Sequence, residues 1–216
     1  MHERFIPALK YRWLTRYYDL VMRLTTRERT FKIALIDQAG ITAGQRILDL
    51  ACGTGTLAVW LKLRGADTEV HGIDGDAEIL RLAAAKAQRT GADVTFSSAL
   101  SNALPYADAH FDRVLSSLFF HHLLARDKDS TAKEVFRVLK PGGEFHVADW
   151  GKAANLGMRM LFVPVQLLDG IRNTRDNVRG RLPAVFAQAG FENIVQTKAF
   201  STVFGTLALY RATKPG

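Results

Sequence analysis

"ILDLACGTG", residues Ile47–Gly55, joins an apolar run to a turn in which two glycines flank one threonine. Arg46–Leu50 reads as a strand, and Leu57–Leu63 as the helix behind it, with Leu57, Trp60, Leu61 and Leu63 on one side. A glycine-rich strand-to-helix turn admits a ligand close to the backbone because no Cβ stands in the way, and it tolerates φ > 0. In an open parallel sheet, turns of this kind lie at the carboxyl ends of the strands, where ligands bind.

Working outward, Thr68–Ile73, Val94–Ser97, Arg113–Ser117 and Glu144–Ala148 supply further strands, and an alanine-rich helix runs over Ala77–Arg89. Lys140-Pro141-Gly142-Gly143 reads as a breaker and tight turn that ends the helix carrying Val135, Val138 and Leu139. Past residue 150, Leu182–Ala189 forms a helix stopped by Gly190. Glu192–Phe200 and Val203–Ala212 form a closing hairpin joined by Ser201-Thr202. The alternation predicts an α/β chain with a parallel sheet covered by helices. No repeat or linker divides it, so 1–216 is expected to be one domain. Its parts are a basic helical cover over 1–32, a cofactor-binding core over 33–150, a lid over 151–181, and the last helix and hairpin over 182–216. Within the cover, Leu9, Trp13, Tyr17, Leu20 and Leu24 recur at helical spacing, with Lys10, Arg12, Arg16 and Arg23 between them.

The loop's chemistry follows from what it lacks. A phosphate-binding loop ends Gly-Lys-Ser/Thr, whereas this one ends Gly55-Thr56-Leu57. A dinucleotide fingerprint has G-x-G-x-x-G, but here Asp49 precedes the turn and would repel a pyrophosphate. A carboxylate at that place suits a cationic ligand. At the end of the second strand, Asp74 is placed to accept hydrogen bonds from both ribose hydroxyls, a role found in nucleotide-binding sheets; as an alternative it would cap the next helix. A nucleoside joined to a cation points to S-adenosylmethionine.

The chain resembles the class I S-adenosylmethionine-dependent methyltransferases. "ILDLACGTG" matches their first motif, "GIDGD" the acidic second, "LPYADAHFDRVLSSLFFHHL" the fourth-strand region and "VLKPGGEFHVAD" the fifth-strand motif. The resemblance implies a doubly wound, Rossmann-like, seven-stranded sheet, mostly parallel with an antiparallel last strand. It also implies Asp49, Ala51, Cys52, Gly53 and Gly55 around the methionine portion, Asp74 with Gly75 at the ribose, and Ser116 at the rim beside the methyl group. Leu100 stands where the family commonly has an aspartate for the adenine amino group, so adenine is expected to rest on apolar packing and backbone near Leu100 and Ser101, or on Asn102 if the loop slips.

Methyl transfer from a sulfonium is an in-line displacement that alignment and desolvation accelerate, and a base is needed only if the acceptor holds a proton. His121 and His122 follow the fourth strand and are the candidate catalytic residues, with packing or helix initiation as the alternative reading. Tyr18, in the element Tyr17-Tyr18-Asp19, is a third candidate, because a tyrosine in such an element closes over the cofactor in related enzymes.

Charge is segregated along the chain. Residues 1–32 hold eight Lys/Arg against three Asp/Glu, residues 33–151 twelve against fifteen, and residues 152–181 six against two. The two covers are thus basic, and both are also apolar: the second carries Phe162, Val163, Val165, Leu167 and Leu168 beside Arg172, Arg175, Arg179 and Arg181. That combination points to a lipophilic or amphiphilic acceptor, a phospholipid amine headgroup or a quinone-type ring, and to peripheral contact with an anionic membrane. Methylation of another small metabolite or of RNA, and noncatalytic binding of S-adenosylmethionine, are the rival readings; no RNA-binding module is evident, and nucleic acid is not an expected partner. The single cysteine, Cys52, cannot form an internal disulfide, and no Cys/His cluster has metal-ligand spacing, so no metal is expected. No apolar run approaches about 18 residues and no signal-peptide core is present, so a cytoplasmic location is expected.

Overall fold

The computed structural model describes residues 27–64 and 67–216. The basic helix expected over Leu9–Leu24, with Tyr17, Tyr18 and Asp19, lies outside them. The elements are α1 (Glu28–Ala39), β1 (Arg46–Leu50), α2 (Thr56–Arg64), β2 (Glu69–Asp74), α3 (Ala77–Thr90), β3 (Thr95–Ser98), β4 (Phe111–Ser117), a short 3-10 turn (Phe120–His122), α4 (Ala125–Val138) and β5 (Leu139–Trp150). After them come α5 (Leu156–Leu161), α6 (Val163–Asp169), α7 (Ile171–Val178), α8 (Leu182–Gln188), β6 (Glu192–Thr202) and β7 (Gly205–Thr213).

The strands form one seven-stranded sheet in the order β3-β2-β1-β4-β5-β7-β6. β1 to β5 are mutually parallel, and β7 runs antiparallel to both of its neighbours. Each face of the sheet buries its own apolar set, as the two-residue period of a strand requires. Ile47, Val70, Leu115, Leu207 and Leu209 pack with α1 and α2, while Leu48, Val114, Phe145, Val147 and Tyr210 pack with α4 and α8. Asp49 shares the face of Ile47, which turns its carboxylate toward α2.

Three boundaries differ from expectation. The division after residue 32 falls inside α1, where Phe31, Leu35, Ile36 and Ala39 form a buried stripe that crosses it; the change in charge there marks no break in the chain. The helix before Lys140 does end at Val138, but Leu139 already pairs with Phe111, and the Pro-Gly-Gly stretch stays inside β5. A register shift between Phe111 and Arg113 absorbs it, while Gly142 N–H donates to the Lys214 carbonyl at 3.0 Å and Lys214 N–H to that of Gly143 at 2.9 Å. The closing hairpin turns at Val203-Phe204, not at Ser201-Thr202. The Thr202 hydroxyl fixes it, donating to the Gly205 carbonyl at 2.9 Å and accepting Phe204 N–H at 3.1 Å.

Candidate active site

Strand order reverses between β1 and β4, and at such a switch point the two following loops diverge to opposite faces and leave a crevice. The loop after β1 supplies one wall and the residues after β4 the other. Ala51, Gly53 and Gly55 all have positive φ, at 56°, 54° and 74°. A Cβ on Gly55 would stand 2.8 Å from that of Ala83, so the missing side chain lets α3 close on the loop, whereas a Cβ on Gly53 would project into open space. Cys52 turns its thiol inward, where burial pushes its pKa well up, and contributes through its backbone, donating N–H to the Ile73 carbonyl at 2.8 Å.

The two carboxylates are held differently. Asp49 is buried; its Oδ2 accepts the Ala58 N–H at 2.9 Å in the first turn of α2, and its Oδ1 has no hydrogen-bond partner among the described residues. Burial raises its pKa to about 7, against the pull of Lys32. Asp74 accepts Gly53 N–H at Oδ2 and Asp76 N–H at Oδ1, both at 3.0 Å, and burial raises it too. Capping of α3 falls instead to Asp76, which accepts from Glu78 and Ile79. An unpartnered buried carboxylate oxygen, the open side of Gly53 and an acid at the next strand end, followed by Gly75, together fit a cationic nucleoside. Farther along the crevice Leu100 is exposed, and the Ser101 hydroxyl is committed to Thr131 at 2.8 Å, which leaves the Ser101 backbone for a base. Ser116 is fully buried and donates to the Leu50 carbonyl at 3.1 Å, so its side chain braces β4 against β1.

On the other wall, the 3-10 turn places His121 and His122 side by side, ring centroids 4.0 Å apart. Asp149, at the end of β5, accepts Trp150 N–H at 2.7 Å and His121 N–H at 3.3 Å, and its Oδ1 lies 2.7 Å from His121 Nδ1. A carboxylate so placed accepts a hydrogen bond from Nδ1–H, which leaves the lone pair on Nε2. Nε2 faces Asp169 Oδ2 at 3.6 Å, and His122 Nδ1 faces Asp169 Oδ1 at 3.6 Å. Burial, with His121 and Lys128 nearby, holds His122 well below the usual histidine range, while burial raises Asp169. Asp149 and Asp169 were not among the expected site residues: Asp149 stands at a strand end in "VAD", which is a usable signal, but nothing in sequence ties Asp169 to the histidines.

Asp169 comes from the lid formed by α5 to α7. Lys128 of α4, fully buried, joins the lid to the rim: its Nζ donates to the carbonyls of Leu123 and Asn173 and lies 3.8 Å from Asp176. Asn177 adds a 2.9 Å bond to the Trp150 carbonyl. Of the apolar lid residues only Phe162 is buried, its ring 5.4 Å from that of Trp150. Leu167 and Leu168 are 71% and 86% exposed, and Leu156, Met160 and Ile171 are exposed with them, so lid packing does not account for this set. Arg172, Arg175, Arg179 and Arg181 are exposed as well.

Fold and crevice define a nucleoside-binding α/β protein of the class I methyltransferase type. Residues 47–143 match a family described as a methyltransferase domain. The demethylmenaquinone methyltransferase of Thermus thermophilus is 38% identical over 135 residues, 62% of this chain and 60% of that protein. An uncharacterized methyltransferase of Synechocystis is 30% identical over 85% of this chain and 84% of its own length. The ubiquinone/menaquinone biosynthesis C-methyltransferase UbiE of Yersinia pestis is 29% identical over 91% and 86%. In fold the chain is similar to a Haemonchus contortus phosphoethanolamine N-methyltransferase solved with S-adenosylhomocysteine, with a TM-score of 0.69 and 18% identity over 87% of this chain and 53% of that one. The chain belongs to the S-adenosylmethionine-dependent methyltransferases. Its cofactor is S-adenosylmethionine, which when bound supplies an electrophilic methyl group.

Proposed function

We propose that the acceptor is a lipophilic hydroxylated ring of the quinone type, in its reduced form, methylated on carbon. The observation that carries this reading is the lid, whose exposed leucines and arginines sit on the same helices that deliver Asp169 to the rim. A long apolar tail on the acceptor would lie along that surface while its ring enters beside His121 and His122. The resemblance in sequence to quinone-pathway C-methyltransferases over nine-tenths of the chain supports the same choice. A ring carbon becomes a strong nucleophile once a neighbouring hydroxyl ionises, and the rim formed by His121, His122 and Asp149 is where this reading has the proton leave. Asp49 and Asp74 hold the donor, and the covers exclude water from it. Tyr18, outside the described residues, belongs to the proposal as a residue that closes over the cofactor. The lid would rest against an anionic bilayer from which the acceptor is drawn.

The test presents the full-length protein with methyl-labelled S-adenosylmethionine and two acceptors in parallel, reduced demethylmenaquinone in detergent and phosphatidylethanolamine vesicles. Label on the quinol ring is the expected outcome. Label on the lipid amine alone would replace this acceptor class with the other.

A further inference from the structure

We propose that His121, His122 and Asp169 bind a divalent transition-metal cation at the acceptor end of the crevice. No spacing in the sequence announces this site, because Asp169 reaches it only through the fold of the lid. One ligand atom from each residue lies within 4.8 Å of the other two. His121 Nε2 stands 3.6 Å from Asp169 Oδ2, and His122 Nδ1 3.6 Å from the other carboxylate oxygen, Oδ1. That separation is beyond a normal hydrogen bond, which ends at about 3.2 Å. It is close to the roughly 3.4 Å between two ligand atoms that each lie about 2.1 Å from a tetrahedral ion.

A second observation is independent of those distances. Asp149 accepts from His121 Nδ1 at 2.7 Å and is fixed by two backbone N–H groups, the carboxylate–imidazole pairing that orients a metal-ligating histidine and raises its basicity. Charge agrees with both. Asp149 and Asp169 both lie against the histidines, whereas Lys128 and Arg181 lie against Asp176, at 3.8 Å and 3.9 Å. Two carboxylates beside two imidazoles leave room for a divalent cation. Two imidazoles and one carboxylate suit zinc, iron or cobalt in preference to calcium or magnesium.

Three protein ligands leave a position for the acceptor, whose hydroxyl would bind there as its anion, the proton passing to water. That role rests on the acceptor reading above; binding of the ion does not.

The experiment uses cobalt(II) as the probe, titrated into chelator-treated full-length protein and followed by its visible absorption, with retained cobalt measured after gel filtration. One equivalent with the intense spectrum of a four-coordinate site is expected, together with a rise in Tm. Asp169→Asn and His122→Gln should abolish the spectrum and the rise while leaving the metal-free Tm unchanged. Asp149→Asn should weaken uptake by about 10- to 100-fold. Glu69, His71 and His110 form a second cluster at the opposite end of the strands, so His71→Gln serves as the control and should have no effect. No uptake by the wild type, or uptake abolished by His71→Gln and untouched by Asp169→Asn, would overturn the proposal. Neither result bears on which acceptor receives the methyl group.

Discussion

Asp49 and Asp74 sit one strand apart, and their surroundings give them different work. Asp49 keeps its proton up to about pH 7 because burial disfavours its anion. Its pKa is raised in the folded chain, so stability is lost as pH rises from the ordinary carboxylate range through about 7. If the donor's cationic portion lies beside Oδ1 it favours the anion, so binding should expel that proton and tighten with rising pH until about 7. Calorimetry in buffers of different ionisation enthalpy should register the release, and Asp49→Asn should remove both the release and the pH dependence. Asp74→Ala removes the acceptor of Gly53 N–H and, if the ribose binds where the sequence places it, the ribose partner with it. Hydrogen bonds to a charged group contribute about 1.5–3 kcal/mol each, so donor affinity should fall tenfold or more by calorimetry. Unchanged affinity would show that the ribose lies elsewhere.

At the scale of elements, Gly55→Ala places a Cβ 2.8 Å from Ala83 at φ +74°, and a destabilisation of about 2–4 kcal/mol in urea is expected from the strained φ and overpacking together. Lys128→Met strips Asp176 of the nearer of its two cations, leaving only the more exposed Arg181, and frees the Leu123 and Asn173 carbonyls, so a loss of about 2–4 kcal/mol is expected, with faster hydrogen exchange in α7. Neither contact is visible in a sequence window, since each joins residues far apart in the chain. What a window does carry is periodicity and turn chemistry. The strands from β1 to β4 were legible to within a residue or two because their β-branched and apolar runs end in glycine, aspartate or serine. α1 is not legible in this way, because Arg27 stands at its N-cap with no side-chain cap to mark where the helix begins. The Pro-Gly-Gly stretch reads as a breaker and tight turn because only the pairing of Gly142 and Gly143 with Lys214 keeps it in the sheet. Likewise the two histidines were legible as a pair after β4, whereas Asp169 depends on how three short lid helices fold back.

For the molecule as a whole, no described helix is long and apolar enough to cross a membrane, yet the lid exposes more leucine than a face in water favours. If the lid seats on anionic lipid, the protein should cosediment with phosphatidylglycerol vesicles at low salt, and Leu167→Asp with Leu168→Asp should abolish this while sparing donor binding. Recovery of the wild type wholly in the supernatant would remove the membrane from the account. The buried ammonium of Lys128 gives that surface a wider meaning, since it grips a carbonyl just past the histidines and another in α7. Outer cover and histidine turn are therefore bolted together through that ammonium, and if the acceptor's tail levers α7 aside it drags on the histidines as well. Acceptors with progressively bulkier tails should consequently slow turnover even when their rings are identical.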